Sequence, residues 1–416
     1  MRIFNSDALH RAELDRIFGR SWIFVGHESE IASPGDYRLR YIGENPFIFV
    51  RDEHEDIHVL FDSCRHRGAK LCRSEKGNTS HFRCPYHGWT YKNTGELVGV
   101  PKRQQGFGHL DLAEFSLHEP PHVSNYHGLI FASLDPNAPS LAEFLGDARW
   151  YLDLIFGLID LEVVGEPERW ETEIDWKSLA DNSAGDNYHL PVAHRSAMTT
   201  GIGSQSATKQ KDDSLLAICC DALSLSMYQI HDTDWYWGYP PEIVETFAPD
   251  GLTDAQLTLA KESNTTVATV FPNFTFHHGS TTHDPNKPPR SFVTIRMVQP
   301  LAPGRSEIWN WFLLPKDAPE AYKQEAYDAG VGARSASGGF TVDDIAILDG
   351  IAELAQTSFA RTKNLELDYS MGMSDGSEAS LLEDWEGPGE AYDHGGVTDV
   401  NQLHFYRNWI DTMTQD

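Results

Sequence analysis

The spacing of hydrophobic residues changes along the chain and divides the sequence into three regions. From Ser6 to about Arg20 the apolar side chains recur at helical spacing, and Ser6 is a candidate N-cap. From Tyr37 to about Ser133 the apolar runs are short, and Gly and Pro separate them. These runs predict the strands YRLRYI, PFIFVR, IHVLF, HFRCPYH and HGLIFASL. The second region is therefore expected to be a small all-β unit.

Longer elements alternate in the third region. The sequence SLAE at 140–143 has the spacing of a capping box and opens a predicted helix. Strands are predicted at LEVVGE, RWETEIDW, 266–270, 290–298 and 306–314, and helices at SLADNSAGDNYH and from about Thr341 to Thr357. This mixture predicts an α+β fold with a central antiparallel sheet and covering helices. We expect a helical lead over residues 1–36 that packs with the last domain, an all-β domain over 37–150, and the α+β domain over 151–416.

Composition narrows the classes of partner. The net charge is −29, from 62 acidic and 33 basic residues, and so negative a surface repels the phosphate backbone of nucleic acid. The sequence has no run of 18 apolar residues and no basic amphipathic segment, so we expect no membrane association. The N-terminal segment lacks the apolar core of a signal peptide, which predicts a cytoplasmic protein.

Two cysteines and two histidines form the first candidate metal site. Cys64-x-His66 is followed, after 17 residues, by Cys84-x-x-His87. Zinc fingers usually pair cysteine with cysteine and histidine with histidine, whereas here each half contributes one of each. Two matched loops could bind a structural zinc ion. They could equally bind a [2Fe–2S] cluster with both thiolates on one iron and both imidazoles on the other. The other three cysteines, Cys72, Cys219 and Cys220, are expected to be reduced packing residues.

The motifs CRHRG and CPYHGW resemble the Rieske domain of bacterial aromatic ring-hydroxylating dioxygenases. The resemblance implies that Cys64 and Cys84 bind one iron of a [2Fe–2S] cluster, that His66 and His87 bind the other, and that Trp89 shields the cluster. Small Rieske ferredoxins carry the same motif and only transfer electrons. An electron carrier and an oxygenase therefore both remain open at this point.

The stretch DWKSLADNSAGDNYHLPVAH, residues 175–194, contains a second candidate site. His189 and His194 with one carboxylate could form the facial triad of a non-haem iron. On an ideal helix the two rings would diverge by about 140°, but Pro191 should end or bend the helix and could bring them together. Two ordinary histidines at a helix end are the alternative. The stretch resembles the N-W-K…E-N-x-x-G-D-x-Y-H-x4-H segment of dioxygenase large subunits, which supplies both iron histidines. It departs from that segment at Asp175, Asp181 and Ser183.

The third iron ligand is expected far downstream. The resemblance implies a carboxylate near the start of a long helix, and Asp344 in GGFTVDDIAILDGIAE lies 150 residues after His194. Asp343 is a neighbouring competitor. Thr341 to Asp344 also has capping-box spacing, so Asp344 could instead satisfy a helix N-terminus.

The same resemblance implies roles for further residues and partners. Asp186 is expected to link His87 of a neighbouring subunit to an iron histidine, and Asn182 to approach the iron without being a tight ligand. The fold implied for the last domain is of the helix-grip type. The expected protein is a terminal oxygenase that receives electrons from NAD(P)H through a ferredoxin or flavin reductase and hydroxylates a small aromatic substrate with O2, with cis-dihydroxylation favoured. A monooxygenase or demethylase is the alternative. A homotrimer of large subunits is expected, with or without small β subunits (α3β3).

Several residues are candidates for substrate contact. Phe340 is the first candidate for the pocket wall, although a core position fits it as well. The region Thr199–Trp237 is expected to form a lid or core and contains, with Met198 just before it, Met227, Tyr228, Trp235 and Trp237. The residues that could meet a substrate carboxylate are Arg290, Arg296 and Lys209.

Overall fold

The computed structural model describes residues 2–201, 213–363, 365–374, 379–393 and 397–415. Its helices are α1 (Asp7–Glu13), α2 (Arg103–Gly106), α3 (Leu141–Leu145), α4 (Arg149–Leu152), α5 (Trp176–Ser183), α6 (Leu190–Ala193), α7 (Arg195–Thr200), α8 (Pro241–Val244), α9 (Asp254–Glu262), α10 (Glu320–Arg334), α11 (Gly339–Ala355), α12 (Ser358–Lys363) and α13 (Val400–Thr414). None of these described helices combines the length and the apolar character that crossing a membrane requires.

The strands of the described residues form antiparallel sheets. They are β1 (Ile23–His27), β2 (Asp36–Ile42), β3 (Asn45–Arg51), β4 (Ile57–Phe61), β5 (Lys76–Asn78), β6 (His81–Arg83), β7 (Thr90–Lys92), β8 (Leu97–Gly99), β9 (His122–Tyr126), β10 (Leu129–Ser133), β11 (Leu161–Thr172), β12 (Ser214–Cys220), β13 (Leu223–Gln229), β14 (Ser263–Val270), β15 (Phe274–Thr281), β16 (Arg290–Ala302), β17 (Arg305–Pro315), β18 (Ser380–Leu381) and β19 (Glu390–Asp393). The chain divides into two compact units, residues 18–141 and residues 1–17 with 142–416.

The smaller unit contains three sheets, with strand orders β1-β10-β9, β4-β3-β2-β5 and β6-β7-β8. One apolar cluster contains residues of β3, β4, β6, β7 and β8 together with Cys64, Cys84 and Trp89. The Cys64 segment follows β4, and the Cys84 segment connects β6 to β7. Short strands thus present both Cys-and-His segments as loops that are rooted in the same core.

The larger unit is built on one nine-stranded sheet, in the order β11-β17-β16-β15-β14-β13-β12-β19-β18. Its central strands are buried almost throughout, because helices cover them: α5 packs on β14, β15 and β16, and α10 packs on β15, β16 and β17. α11 contacts α10 and α6. The sheet therefore supports the three helical segments that contribute to the second site.

A buried charge cluster fixes α5 within this unit. Lys177 is fully buried, and its Nζ donates to Glu13 Oε1 at 2.7 Å and lies 2.8 Å from Asp175 Oδ1. The indole N–H groups of Trp176 and Trp409 both donate to the Glu13 carboxylate at 3.0 Å. Residues of α1, α5 and α13 are therefore joined by one network in which each buried charge has partners.

The predicted α+β class is confirmed, and several elements differ from their predicted extents. The stretch predicted as two strands around LEVVGE and RWETEIDW is one strand, β11, and the predicted helix at 178–189 ends at Ser183. The units divide after residues 17 and 141, whereas the predicted domain boundaries fall after 36 and 150. The first boundary differs because β1 pairs with β10. These strands are so far apart in the sequence that local patterns do not reveal the pairing. The domain boundaries themselves stay predictions.

Candidate metal centres

The two Cys-and-His segments form a pair of matching loops. The Cys64 carbonyl accepts a hydrogen bond from the Gly68 N–H at 2.8 Å, and the Cys84 carbonyl accepts one from the Gly88 N–H at 3.0 Å. Both glycines have positive φ angles, 71° and 75°, which glycine adopts without steric strain. The glycine four residues after each cysteine therefore closes its loop.

The metal-binding atoms of these loops lie in like pairs. Cys64 and Cys84 are buried in one apolar cluster, and burial raises the pKa of the Cys64 thiol, an effect to which Cys84 adds. The rings of His66 and His87 have centroids 4.6 Å apart. His66 Nδ1 is buried without a hydrogen-bond partner, and an orphaned ring nitrogen of this kind needs a ligand. The donor set therefore fits a cluster that takes both thiolates on one side and both imidazoles on the other.

A single zinc ion fits these loops poorly. A single tetrahedral zinc ion needs all its ligand atoms within about 4 Å of one another, given bonds of about 2.3 Å to sulfur and about 2.0 Å to nitrogen. In the described part of the chain, one set of three metal-binding side chains has all its ligand atoms within 4.8 Å of one another. That set is His189, His194 and Asp344. The Cys64–His87 segment supplies no such set, so its donors are spread too widely for one ion.

Aromatic side chains surround the His66 ring. Trp89 is buried and stacks on His66, with ring centroids 5.0 Å apart and planes within 7°. Phe107 contacts both rings edge-on. The Tyr91 hydroxyl lies 3.4 Å from Cys64 Sγ. Trp89 thus occupies the place expected of a shielding residue, and Tyr91 adds a polar contact to a sulfur ligand.

In the larger unit, His189 and His194 flank a single helical turn. After α5 ends, Gly185 adopts a φ of 117°, and the chain reaches α6 directly after His189. Pro191 lies in the first turn of α6, where its missing N–H leaves no helical hydrogen bond unmade. His194 sits at the junction of α6 and α7. The chain bends around Pro191, and the bend brings the two Nε2 atoms to 3.0 Å from each other.

Asp344 completes a convergent set of three atoms. Its Oδ1 lies 3.3 Å from His189 Nε2 and 3.1 Å from His194 Nε2. Two ligands that meet a divalent metal at right angles, with bonds of about 2.1 Å, are separated by about 3.0 Å. Asp344 Oδ1 is also buried and receives no hydrogen bond. The three atoms therefore have the spacing at which three residues could hold one divalent ion.

The other nitrogen of each ring faces a second carboxylate. Asp186 Oδ2 is 3.1 Å from His189 Nδ1, and Asp343 Oδ2 is 3.3 Å from His194 Nδ1. A carboxylate in this position favours the tautomer with its proton on Nδ1, so the Nε2 lone pair is free for a metal. The His194 contact meets the geometry of a hydrogen bond, whereas His189 Nδ1 lies at ion-pair distance from Asp186 without such a bond. Asp343 therefore orients the ring of His194, and Asp186 acts on His189 mainly through its charge.

The electrostatics of the site favour positive charge. Burial lowers the pKa of His189, but contacts with Asp186 and Asp344 outweigh burial and raise that pKa to about 9. Burial alone would raise the pKa of Asp344, but its contacts with both histidines hold it below its usual range. Carboxylates so arranged around two imidazoles attract a proton or a cation, and a divalent ion meets that requirement.

The structure separates the two adjacent acids of α11. The helix begins at Gly339 with Gly338 as its N-cap, so Asp344 lies in the second turn and does not cap the helix. Thr341 is buried, and its hydroxyl accepts a hydrogen bond from Arg296 Nη2 at 2.8 Å. Asp343 lies on the Nδ1 side of His194, away from the convergent atoms. The capping interpretation of Asp344 is therefore wrong.

A cavity of about 90 Å³ adjoins the three converging atoms, and Asn182 and Asp186 are among its lining residues. Phe340 is buried and packs on His194, with ring centroids 5.0 Å apart. It is not among the described residues that line the cavity. Its expected place in the pocket wall stays a prediction. Arg296 lines the cavity, whereas Arg290 is ion-paired with Glu325.

The region predicted as a lid or core is only partly described. Met227 and Trp237 are buried in the core, and Met198 and Trp235 are exposed. Neither pair contributes to the described lining of the cavity. Residues 202–212, and with them the candidate Lys209, lie outside the described residues.

Sequence reasoning missed three residues of this site. Asp343 was predicted only as an alternative to Asp344 for the third metal ligand. The adjacent acids in VDDI, however, allow one to bind a metal and the next to orient a histidine ligand. His277 and Arg334 also line the cavity and were not considered. The alternation Thr275-x-His277 on β15 is a signal that could have identified the first, whereas nothing local marks Arg334.

Comparisons with known proteins agree with both centres. Residues 21–121 match the family model of the Rieske [2Fe-2S] domain, and residues 141–415 match that of the ring hydroxylating alpha subunit, catalytic domain. The chain is 36% identical over 427 residues to the N,N-dimethyl phenylurea N-demethylase subunit alpha of Sphingobium sp. (strain YBL2), covering 100% of this chain and 91% of that one. It is 32% identical over 434 residues to the chlorobenzene dioxygenase subunit alpha of Cupriavidus sp. (strain PS12), covering 99% and 90%.

A solved structure of naphthalene 1,2-dioxygenase from Rhodococcus sp. bound to indole is also similar. Its TM-score is 0.92 at 39% identity, covering 99% of this chain and 93% of that one. Together with the converging atoms of His189, His194 and Asp344, the family matches confirm the predicted cofactors, a Rieske [2Fe–2S] cluster and a mononuclear site of two histidines and one aspartate.

Proposed function

Because the chain belongs to the family of Rieske ring-hydroxylating oxygenases, as an alpha subunit, we propose that it is a terminal oxygenase that cis-dihydroxylates an aromatic compound. It would use O2 and electrons from NAD(P)H that reach it through a separate ferredoxin or flavin reductase. The proposal rests on one observation above all, the convergence of His189, His194 and Asp344. An electron carrier has no use for such a site.

The residues of the site have distinct proposed roles. His189, His194 and Asp344 hold a ferrous ion, which supplies open coordination positions for O2 when bound. Asp343 accepts a hydrogen bond from His194 Nδ1 and fixes that ring, and the Asp186 carboxylate lies beside His189 Nδ1. Asn182 lines the cavity without belonging to the converging atoms, which suits a residue that positions substrate or water near the ion. The lining residues exclude bulk water and orient the ring to be oxidised.

We propose that electrons pass between chains. Cys64, Cys84, His66 and His87 hold the cluster, and His87 is exposed at its edge. In the larger unit the Asp186 side chain is 36% exposed while its Oδ2 contacts His189. His87 of one chain could therefore donate a hydrogen bond to Asp186 of the next chain. A head-to-tail interface that closes into a ring of three provides this arrangement, and similar alpha subunits imply an added β subunit.

Oxidative N-demethylation is the second candidate. The observation that favours it is the 36% identity, over the whole chain, with the alpha subunit of a phenylurea N-demethylase. The same metal residues would serve both reactions, because the difference lies in which atom of the substrate is held beside the ion. The product therefore has to decide between them.

The experiment supplies the purified protein with a reductase system, 18O2 and four substrates, namely chlorobenzene, naphthalene, benzoate and an N,N-dimethylphenylurea. The main proposal expects a cis-diol that carries two 18O atoms, whereas demethylation releases formaldehyde. Asp344→Ala is the matched control, since it should retain cluster absorbance and lose product. Absence of oxygen uptake with every substrate, in protein whose cluster is reduced and whose mononuclear iron gives a nitric-oxide EPR signal, would refute both candidates.

A further inference from the structure

Several polar side chains line the sheet side of the cavity beside the converging atoms. β14, β15 and β16 contribute Phe276 and six side chains at alternate positions, which are Thr265, Val267, Thr275, His277, Thr294 and Arg296. Because strand residues two apart share a face, these six belong to one patch. His277 is paired with Thr294, and Thr275 is paired with Arg296. Pockets for small apolar ligands are lined mainly by hydrophobic and aromatic side chains, so this wall indicates a substrate with a polar group.

Two cations line the cavity, Arg296 on β16 and Arg334 at the end of α10, and Arg296 is already committed to the protein. Its Nε donates to Asn310 Oδ1 at 2.9 Å, and Asn310 Nδ2 in turn donates to Glu168 Oε2 at 3.0 Å. Its Nη2 donates to the carbonyl of Arg334 at 2.6 Å and to Thr341 Oγ1 at 2.8 Å. Arg296 therefore joins the sheet to α10 and α11, and a structural role accounts for it.

Arg334 lacks comparable partners. Within the described residues no acid lies at ion-pair distance from its guanidinium, which packs over the Phe340 ring at 4.8 Å. Arg334 Nε is buried and has no hydrogen-bond partner. Burial and the neighbouring Arg296 lower the pKa of Arg334 to about 10, although Asp344 opposes them. The Asp344 Oδ1 atom is directed at the two histidines. Arg334 as a whole is partly buried, but a buried Nε–H without an acceptor is unfavourable unless a ligand satisfies it.

His277 adds a second unused polar group to the same cavity. Its side chain is 7% exposed, and Nδ1 is buried without a hydrogen-bond partner. Burial and the neighbouring Arg334 guanidinium hold the pKa of His277 well below its usual range. The ring is therefore neutral and can donate one hydrogen bond without adding charge.

The charge balance of the cavity favours an anion. Asp186 and Asp344 line it together with Arg296 and Arg334, so the two acids balance the two cations. A ferrous ion held by the histidines and Asp344 would leave the cavity with a net positive charge. The space of about 90 Å³ compares with roughly 150 Å³ for a cavity that holds benzene. It admits a carboxylate as it stands, and it admits a ring once lining side chains move.

We propose that the substrate carries a carboxylate, and that Arg334, assisted by His277, binds this carboxylate in the cavity beside His189, His194 and Asp344. The inference rests on the proposed oxygenase function and specifies its substrate class as aromatic carboxylates. Arg334 would act as a specificity-determining residue, because a guanidinium recognises a carboxylate with two parallel hydrogen bonds.

The test measures binding in the full-length protein, with iron loaded and with mononuclear iron removed. Benzoate and phenylacetate are titrated by calorimetry, with benzamide and toluene as neutral counterparts of similar size. The protein is expected to bind at least one of the two carboxylates more tightly than benzamide. Arg334→Met, which nearly preserves side-chain length, should weaken that binding roughly 10- to 100-fold and leave toluene binding within about 2-fold. Arg334→Lys should restore part of the affinity.

Arg290→Met is the matched control, because Arg290 is a cation of β16 that is ion-paired with Glu325 outside the described lining. Its carboxylate binding should be unchanged. Binding of neither carboxylate, equal binding of benzamide, or undiminished carboxylate binding by a folded Arg334→Met protein would each overturn the proposal. Oxidation of neutral aromatics without carboxylate binding would leave the oxygenase function intact. Arg334-dependent carboxylate binding without oxidation of any substrate would instead contradict the oxygenase function.

Discussion

Replacement of Asp343 by Ala should weaken iron binding although Asp343 is not one of the converging ligands. Asp343 Oδ2 lies 3.3 Å from His194 Nδ1, and His194 is 1% exposed. Without this carboxylate His194 Nδ1–H loses the acceptor it has in the structure, and the ring loses the contact that favours its tautomer and orientation. Loss of such an orienting contact typically lowers metal affinity 10- to 100-fold, which corresponds to about 1.4–2.7 kcal/mol.

The assay measures iron at the mononuclear site by titration against a competing chelator, with cluster iron as the internal reference for protein amount. Asp343→Ala should shift the chelator midpoint by one to two orders of magnitude (roughly, from the affinity loss above) and leave the visible spectrum of the cluster unchanged. Asp349→Ala is the control, since Asp349 lies on the same helix and is exposed. An Asp343→Ala protein with unchanged iron affinity would show that the Nδ1 contact does not support the site.

Three further predictions concern other parts of the molecule. Lys177→Met should lower the free energy of unfolding by about 3–5 kcal/mol, because it leaves the buried Glu13 carboxylate without its cation; a fall in thermal midpoint no larger than that of a surface variant would contradict this. Tyr91→Phe should lower the reduction potential of the cluster, because the hydroxyl near Cys64 Sγ stabilises the reduced state, which is the more negative one. If this contact contributes about 1 kcal/mol, a spectroelectrochemical titration should show a decrease of about 43 mV. Burial raises the pKa of Asp181 from 3.8 to about 7. Between these pH values the folded state binds one more proton than the unfolded state, so stability falls as pH rises from about 4 to about 7. The thermal midpoint of Asp181→Asn should lack that part of the decline, and identical pH profiles of the two proteins would refute the assignment.

The sequence carried most of the information on the metal-binding residues because they occur in short segments. The interleaved cysteines and histidines lie within 24 residues, and His189 and His194 lie five apart around Pro191. In such segments local turn chemistry decides which atoms can meet. Spacing and residue type are then sufficient to recognise a candidate site.

What the sequence did not reveal depends on contacts between distant segments. β12, β13 and β15 were not predicted, since their registers are set by neighbours in the sheet. The choice between Asp343 and Asp344 required the rotation of α11 relative to His194. Likewise, whether the Arg334 guanidinium has a partner among the described residues depends on every segment that packs around it. From sequence alone, an arginine at the end of a helix is expected to be a solvated charge.

The adjacency of Asp343 and Asp344 has a consequence for how this part of the chain can vary. One residue added or removed between Gly339 and Asp343 would rotate both acids about the helix axis by about 100°, so the ligand and its supporting contact would be lost in the same event. Substitutions in this turn can be tested one at a time, but changes of length cannot. In a set of homologous sequences, insertions and deletions should therefore be rare in this turn of α11 and more frequent in the connection that precedes Gly338.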